Sequence, residues 1–386
     1  MAGRRRNPYP GLVVVALLPA LLLGGCWRFA QGRAPDEVSV AVDDEQTPAT
    51  LPAALGTPLL SVRRAPATLS RAANASTFTA ELQPLLDRID STSCFSLSID
   101  GAPVAAVNDT IALRPASNVK LITAAVALEV LGPDFVYTTT VNGVADSGGV
   151  VSGDLYLIGG GDPLLSSEWW DGPSQKFPPF NVTPIESLAD AVKAAGITSV
   201  AGSVVGDASR YDDEWYLPTW ADSLRFTEGG PLSALLVNDS REAADRSSND
   251  PAVGAATVLT QLLQERGITV AGEPQKGTAG GEPVLASVTS QPLPAVLQEM
   301  LTTSDNNTAE LMLKELGLQA GGAPTTNAGL SVVMTTLQKW SIPMEGVTLV
   351  DGSGLSDENR LTCAALLAVL QHGSVDDAVG QGLPLG

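Results

Sequence analysis

Residues 114–128 read RPASNVKLITAAVAL. Lys120 stands three positions after Ser117 in a run that is otherwise almost wholly apolar. Pro115 suits a first helical turn, and Gly132–Pro133 supplies a stop. Between those signals only Lys120 and Glu129 are charged. A helix that is apolar nearly all round is a buried helix. Residues three apart on a helix share a face, so Ser117 and Lys120 stand side by side at its start. A hydroxyl is a poor nucleophile until a base takes its proton. The chain has six lysines and a single histidine, His372, in a Gly-flanked polar stretch near its end. A lysine can be that base when burial and the positive end of a helix dipole lower its pKa. The plain alternative is a lysine snorkelling out of a core helix.

The chain has 386 residues and is 44% hydrophobic, enough for a sizeable core and two to three domains. A net charge of −20 argues against nucleic acid as a partner, because phosphate binding needs a basic surface. Arg4, Arg5 and Arg6 precede an uncharged run from Gly11 to Gly25 that ends at Cys26. The run is short for a membrane span and suits an export signal. Its end, LGGC, resembles a bacterial lipobox, which makes Cys26 a candidate for lipidation. An uncleaved anchor and an ordinary cleaved signal are the alternatives. All three place the rest of the chain outside the cytoplasm and confine membrane contact to residues 1–33. Residues 34–75 are rich in Ala, Pro, Thr and acidic side chains without a period, and read as a disordered linker. Cys94 and Cys363 remain. An exported chain could join them, but the preferred reading is two separate buried thiols. A zinc site of Cys and His ligands is not credible with so few of either.

Folded structure is expected from about Phe78. The stretch around Asp100–Gly101 alternates on both sides of a turn signal and reads as a hairpin. From Tyr137 to about Glu282 strands mix with helices. Two stretches there repeat the order helix, glycine, strand, and their pieces GITSVAG and GITVAG look alike. A duplication would explain this, as would the commonness of that order. LIGGGDPLL lacks the Lys-Ser/Thr of a phosphate loop and reads as a turn. Helices return from about Pro292. Ser304-Asp305-Asn306 falls on a break between two of them, with Asn307 to Glu310 as a capping arrangement for the second. A second serine can pass protons, and an asparagine amide can hold a substrate peptide group and a lysine at once. Ser247-Ser248-Asn249 shows the same Ser-x-Asn spacing but reads as a turn before Pro251.

Ser-x-x-Lys followed by Ser-Asp-Asn marks penicillin-recognising serine enzymes. The chain resembles the D-alanyl-D-alanine carboxypeptidase/endopeptidase family, the class C low-molecular-mass penicillin-binding proteins (peptidase family S13). The resemblance runs from about Phe78 to the end. It rests on RPASNVKLITAAVAL, GDLYLIGGGDPLL, VVGDASRYDDEW, LLVNDSR, TTSDNNTAELML and VDGSGLSDENRLT. It implies an α/β (α+β) fold. A transpeptidase-like domain of helices around an antiparallel sheet (76–136 and 285–386) would be interrupted by a large α/β insert (137–284). It further implies Ser117 as acylated nucleophile, Lys120 as its base, Ser304 as proton relay and Asn306 as the group orienting substrate and lysine. The implied substrate is a peptidoglycan stem peptide ending in D-Ala-D-Ala, or its D-Ala–diaminopimelate crosslink. β-Lactams would acylate the same serine, and no cofactor or metal is implied.

The family's third motif, Lys-Thr-Gly, has no counterpart here. Lys276-Gly277-Thr278 has another order and precedes Ser304, and no lysine follows Lys339. The expectation is therefore a C-terminally truncated member, with the last part of its sheet and one oxyanion donor missing. A lost oxyanion donor costs about 100–1000-fold in rate. An unpaired sheet edge invites aggregation, so residues 76–386 alone are expected to be poorly soluble; a cooperative, monomeric melt would contradict that. The alternative to an enzyme is an impaired fragment or a non-catalytic peptidoglycan-binding module.

Overall fold

The computed structural model describes residues 65–172, 178–225, 227–372 and 378–383. The chain divides into two units, Met1–Pro66 and Ala67–Gly386. The first lies outside the described residues but for Ala65 and Pro66, and with it the export signal, Cys26 and most of the expected linker. Among the described residues no helix is long and apolar enough to cross a membrane.

Helix α1 spans Ala65–Leu86 and so begins inside the stretch read as a linker. Composition misled there: the Ala-rich sequence lacks an apolar stripe yet has good helix propensity. Strands β1 (Phe95–Ile99) and β2 (Ala102–Val107) form the expected hairpin, with Ile99 opposite Ala102. Asp100 and Gly101 both take positive φ, 52° and 78°, as a tight hairpin turn requires. A 3-10 turn, Ala116–Asn118, then enters α2 (Val119–Leu131), and Gly132 ends it at φ 82°. From Val119 to Leu128 every α2 side chain but Leu121 is buried.

The strands that follow build, among the described residues, two larger sheets and two two-stranded ones. Strands β3 (Thr138–Asn142), β4 (Val150–Val151), β5 (Leu155–Ile158), β6 (Leu165–Ser166) and β7 (Thr183–Pro184) lead to α3 (Ile185–Ala194). β8 (Ser199–Val200), β9 (Val204–Asp207), β10 (Arg241–Ala243) and β11 (Arg246–Ser247) lead to α4 (Pro251–Glu265). β12 (Thr269–Val270), β13 (Gln275–Lys276) and β14 (Val284–Thr289) complete the set. The larger sheets run β13-β9-β5-β3-β14 and β12-β8-β4, while β6 pairs with β7 and β10 with β11. β14 pairs antiparallel with β3, which carries the larger sheet past the boundary at 284 to Thr289. The two look-alike pieces become neighbours: Thr269 pairs with Ser199 and Val270 with Val200, in parallel. Each follows a helix and a positive-φ glycine, Gly196 or Gly267. Leu188, Val192, Leu259 and Leu263 from α3 and α4 join Val141, Leu155, Leu157 and Val204 from the sheet in one core.

A second core surrounds α2. Helices α5 (Leu293–Thr303), α6 (Asn306–Ala320), α7 (Thr326–Lys339), α8 (Cys363–Gln371) and α9 (Ala378–Gly382) close on it. Val126, Met300, Met312, Leu316 and Val369 meet there. Cys94, just before β1, is bonded to Cys363, the first residue of α8. This corrects the reading of two separate thiols. Their sequence separation is 269 residues, so no local pattern announces the pairing; packing of α8 against β1 creates it.

Candidate active site

Ser117 lies in the 3-10 turn and is exposed, whereas Lys120, one turn on, is 1% exposed. Ala116 starts this turn with a φ of 47°, unusual for a residue with a side chain. Gly354 presses against it: a Cβ at Gly354 would fall 1.8 Å from the Ala116 carbonyl oxygen. Glycine is required there both by its φ of 83° and by this approach.

Lys120 Nζ donates to Ser117 Oγ at 3.2 Å, to Asn306 Oδ1 at 2.6 Å and to the Ser353 carbonyl at 3.0 Å. An ammonium has three donors, and each has an acceptor. Ser304 Oγ donates to Ser117 Oγ at 3.0 Å. All four side chains singled out in the sequence, Ser117, Lys120, Ser304 and Asn306, thus meet in one hydrogen-bonded group. Ser304 is the left-handed C-cap of α5, φ 61°, and Asn306 opens α6. The Asn306 amide nitrogen donates to the Glu228 carbonyl at 2.6 Å. That bond fixes the amide so that its oxygen faces Lys120. A cleft of about 470 Å³ opens over Ser117, Lys120 and Ser304, with Leu121 and Leu301 in its lining.

Burial lowers the Lys120 pKa from the usual lysine value, and the charges of Asp305, Glu310, Asp351 and Glu228 work against that lowering. His372, the other candidate base, caps α8 and stacks on Trp340 with ring centroids 3.8 Å apart. Lys120 holds the place beside the serine.

The cap of α6 differs from expectation. Asp305, not a residue of 307–310, is its N-cap and accepts from the Thr308 N–H. Glu310 is fully buried and accepts from the N–H groups of Gly352 and Ser353 at 3.0 and 2.8 Å. Thr123 donates to the Gly352 carbonyl at 2.7 Å. Asp351 accepts from Gly354 N, Ser356 N, Asn359 Nδ2 and Trp220 Nε1. Sequence reasoning missed these supports. As sequence, Glu310 reads as a capping residue and DGSG as a turn; only their placement against Lys120 gives them a role.

The fold is that of penicillin binding protein 4 (dacB) from Haemophilus influenzae. The two structures agree with a TM-score of 0.63 at 20% identity, over 78% of this chain and 79% of that one. The chain has a mixed α/β, transpeptidase-like fold. The sequence profile of the D-Ala-D-Ala carboxypeptidase 3 (S13) family matches residues 84–243 and 234–383. The chain belongs to that family. A D-alanyl-D-alanine carboxypeptidase of Actinomadura sp. is 29% identical, over 68% of this chain and 60% of the relative. Carboxypeptidase DacB of Mycolicibacterium smegmatis is 33% identical, over 66% of this chain and 54% of the relative. The chain therefore spans less than two thirds of either relative's length.

Proposed function

We propose that the chain is a serine-type D-Ala-D-Ala carboxypeptidase/endopeptidase that acts on peptidoglycan stem peptides through an acyl-serine intermediate. The observation that carries this reading is the triangle in which Ser117 Oγ meets Lys120 Nζ at 3.2 Å and Ser304 Oγ at 3.0 Å. Neutral Lys120 takes the Ser117 proton as Oγ attacks the carbonyl carbon of the scissile D-Ala bond. Ser304 relays that proton from Lys120 to the departing amine as the bond to nitrogen breaks, which leaves Lys120 neutral again. Water then attacks the ester, Lys120 takes its proton and returns it to Ser117 Oγ as the ester bond breaks. Asn306 holds the lysine and orients the substrate amide. β-Lactams would acylate the same oxygen. On this reading residues 137–284 are an insert between the part carrying Ser117 and the part carrying Ser304. The protein acts outside the cytoplasm, held or exported by its N-terminal segment with Cys26.

The second reading is a non-catalytic peptidoglycan-binding module or an impaired fragment. Incubation with benzylpenicillin, then intact mass and peptide mapping, separates the two. A stoichiometric adduct on Ser117, lost in Ser117→Ala, supports the enzyme. Folded chain without an adduct supports the module.

A further inference from the structure

Besides Ser117, Lys120 Nζ has two acceptors, Asn306 Oδ1 and the Ser353 carbonyl. They belong to separate parts of the chain, yet the supports of both converge on one side chain, Trp220. Trp220 is 3% exposed and packs with Leu217, Leu232 and Leu311. Its Nε1 donates to Asp351 Oδ2 at 3.1 Å. Asp351 also accepts from Gly354 N at 2.8 Å, Ser356 N at 2.6 Å and Asn359 Nδ2 at 2.8 Å. Those three donors lie in the loop that Asp351 itself opens; the indole comes from 131 positions earlier. The same loop carries the Ser353 carbonyl, and its Gly354 rests on Ala116 beside Ser117.

The Trp220 ring also bears on the support of Asn306. A Cβ at Gly229 would fall 2.6 Å from that ring, so the missing side chain lets the backbone lie against the indole. Gly229 is flanked by two backbone groups bonded to the start of α6. The Glu228 carbonyl accepts from Asn306 Nδ2 at 2.6 Å, and the Gly230 N–H donates to Asn307 Oδ1 at 2.7 Å. Filling an apolar cluster calls for a ring but not for a donor. A buried indole N–H needs an acceptor, and here that acceptor is the carboxylate around which the Ser353 loop folds.

We propose that Trp220 is a positioning residue for the Ser117–Lys120 pair. Its N–H orients the loop of Asp351 and Gly354, and its ring backs the Glu228–Gly230 backbone, so that the Ser353 carbonyl and Asn306 Oδ1 hold Lys120 Nζ toward Ser117. The indole acts through these supports, not on the reacting atoms. Its link to catalysis rests on the peptidase reading; the alignment of Lys120 does not. A misplacement of about 1 Å at a catalytic group can cost on the order of 100-fold in rate, so a change at Trp220 should be visible in the chemistry.

Trp220→Phe keeps a ring in the cluster and removes the donor. Leu217→Ala is the comparison, because it removes packing from the same cluster and leaves the polar path in place. Two readings are taken on the full chain. Acylation is followed against benzylpenicillin concentration, which separates the saturating rate from the half-saturating concentration. Titration of Lys120 is followed by NMR with 13C at the lysine Cε; the chain has six lysines, and Lys120→Arg assigns the signal. Trp220→Phe should lower the saturating rate at least tenfold with little change in the half-saturating concentration. It should also move the Lys120 midpoint toward the ordinary lysine value as the loosened loop admits water. Leu217→Ala should lower Tm and leave both readings where they are. Gly229→Ala keeps the donor but displaces the ring; it should act like Trp220→Phe and takes its place if that variant does not fold. A Lys120 midpoint that stays put in the folded variant, or moves equally in Leu217→Ala, overturns the positioning role. An unmoved midpoint beside a Ser117 adduct in the parent sinks that role and spares the peptidase. A moved midpoint in a chain whose parent forms no adduct does the reverse.

Discussion

The Glu310 carboxylate accepts the Ser353 N–H at 2.8 Å, and the Ser353 carbonyl accepts from Lys120 Nζ at 3.0 Å. Glu310 stands one turn after Asn306 on α6, so one helix face reaches Lys120 twice. Asn306 touches it directly, and Glu310 acts through the loop at Gly352–Ser353. Replacing Glu310 with alanine leaves two buried N–H groups unpaired. Glu310→Ala should therefore lose about 2–5 kcal/mol of stability, read by urea unfolding, and should slow acylation by benzylpenicillin. A loss under about 1 kcal/mol would mean that Asp351 alone holds the loop.

Lys120 must be neutral to take a proton. Burial lowers its pKa below the ordinary lysine value of 10.5, so the neutral fraction grows at lower pH than for an exposed lysine. Acylation by benzylpenicillin should rise with pH along a limb centred below that value. Asn306→Asp would set a carboxylate where the amide oxygen now lies, 2.6 Å from Nζ. That favours the ammonium and should move the limb upward. The pH profile of the acylation rate, in the parent and in the variant, reads both effects. A limb that the substitution leaves in place removes Lys120 as the base.

Glu299 gives a pH signature of stability. Its pKa in the fold is about 8 against an ordinary value of 4.5. Between those values the folded state keeps a proton that the unfolded state gives up. The stabilisation is complete below the lower value and is lost as pH rises through the upper one. Asp162 and Asp239, raised to about 6 and about 7, slope the same way. Comparison with Glu299→Gln isolates the one group. Thermal melts at a series of pH values should show Tm of the parent falling more steeply than Tm of the variant. Parallel curves would show that Glu299 ionises normally.

The Cys94–Cys363 bond joins residues 269 positions apart. Long loops lose much entropy in the unfolded chain when cross-linked. The double change Cys94→Ser with Cys363→Ser should cost about 2–5 kcal/mol, measured by denaturant unfolding without reductant. Equal midpoints for parent and variant would show that packing of α8 on β1 suffices.

Much of the site is legible in the sequence. Helical spacing pairs Ser117 with Lys120, and a break between two apolar patterns marks Ser304-Asp305-Asn306. Legibility fails where a residue's role depends on distant chain. Glu310 fits a capping pattern equally well whether its carboxylate turns to its own helix or to Gly352. Cys94 and Cys363 look alike as thiols or as a disulfide. The start of α1 carries no apolar stripe to announce a helix, and farther along it Phe78 and Leu85 remain open to solvent.

The local elements are written in the chain itself: the buried α2, the hairpin at Asp100–Gly101, the helix–glycine–strand pairs and the break at Ser304. Short-range sterics and hydrogen-bond spacing fix those, and both act within a few residues. Which elements meet is settled only by tertiary packing. Packing of α2 against α5 and α6 brings Lys120 to Asn306 across 186 residues and seats Glu310 under the loop that Lys120 also contacts. Such contacts arise from complementary apolar faces in a common core, and apolar patterning records that a face is buried without recording against what.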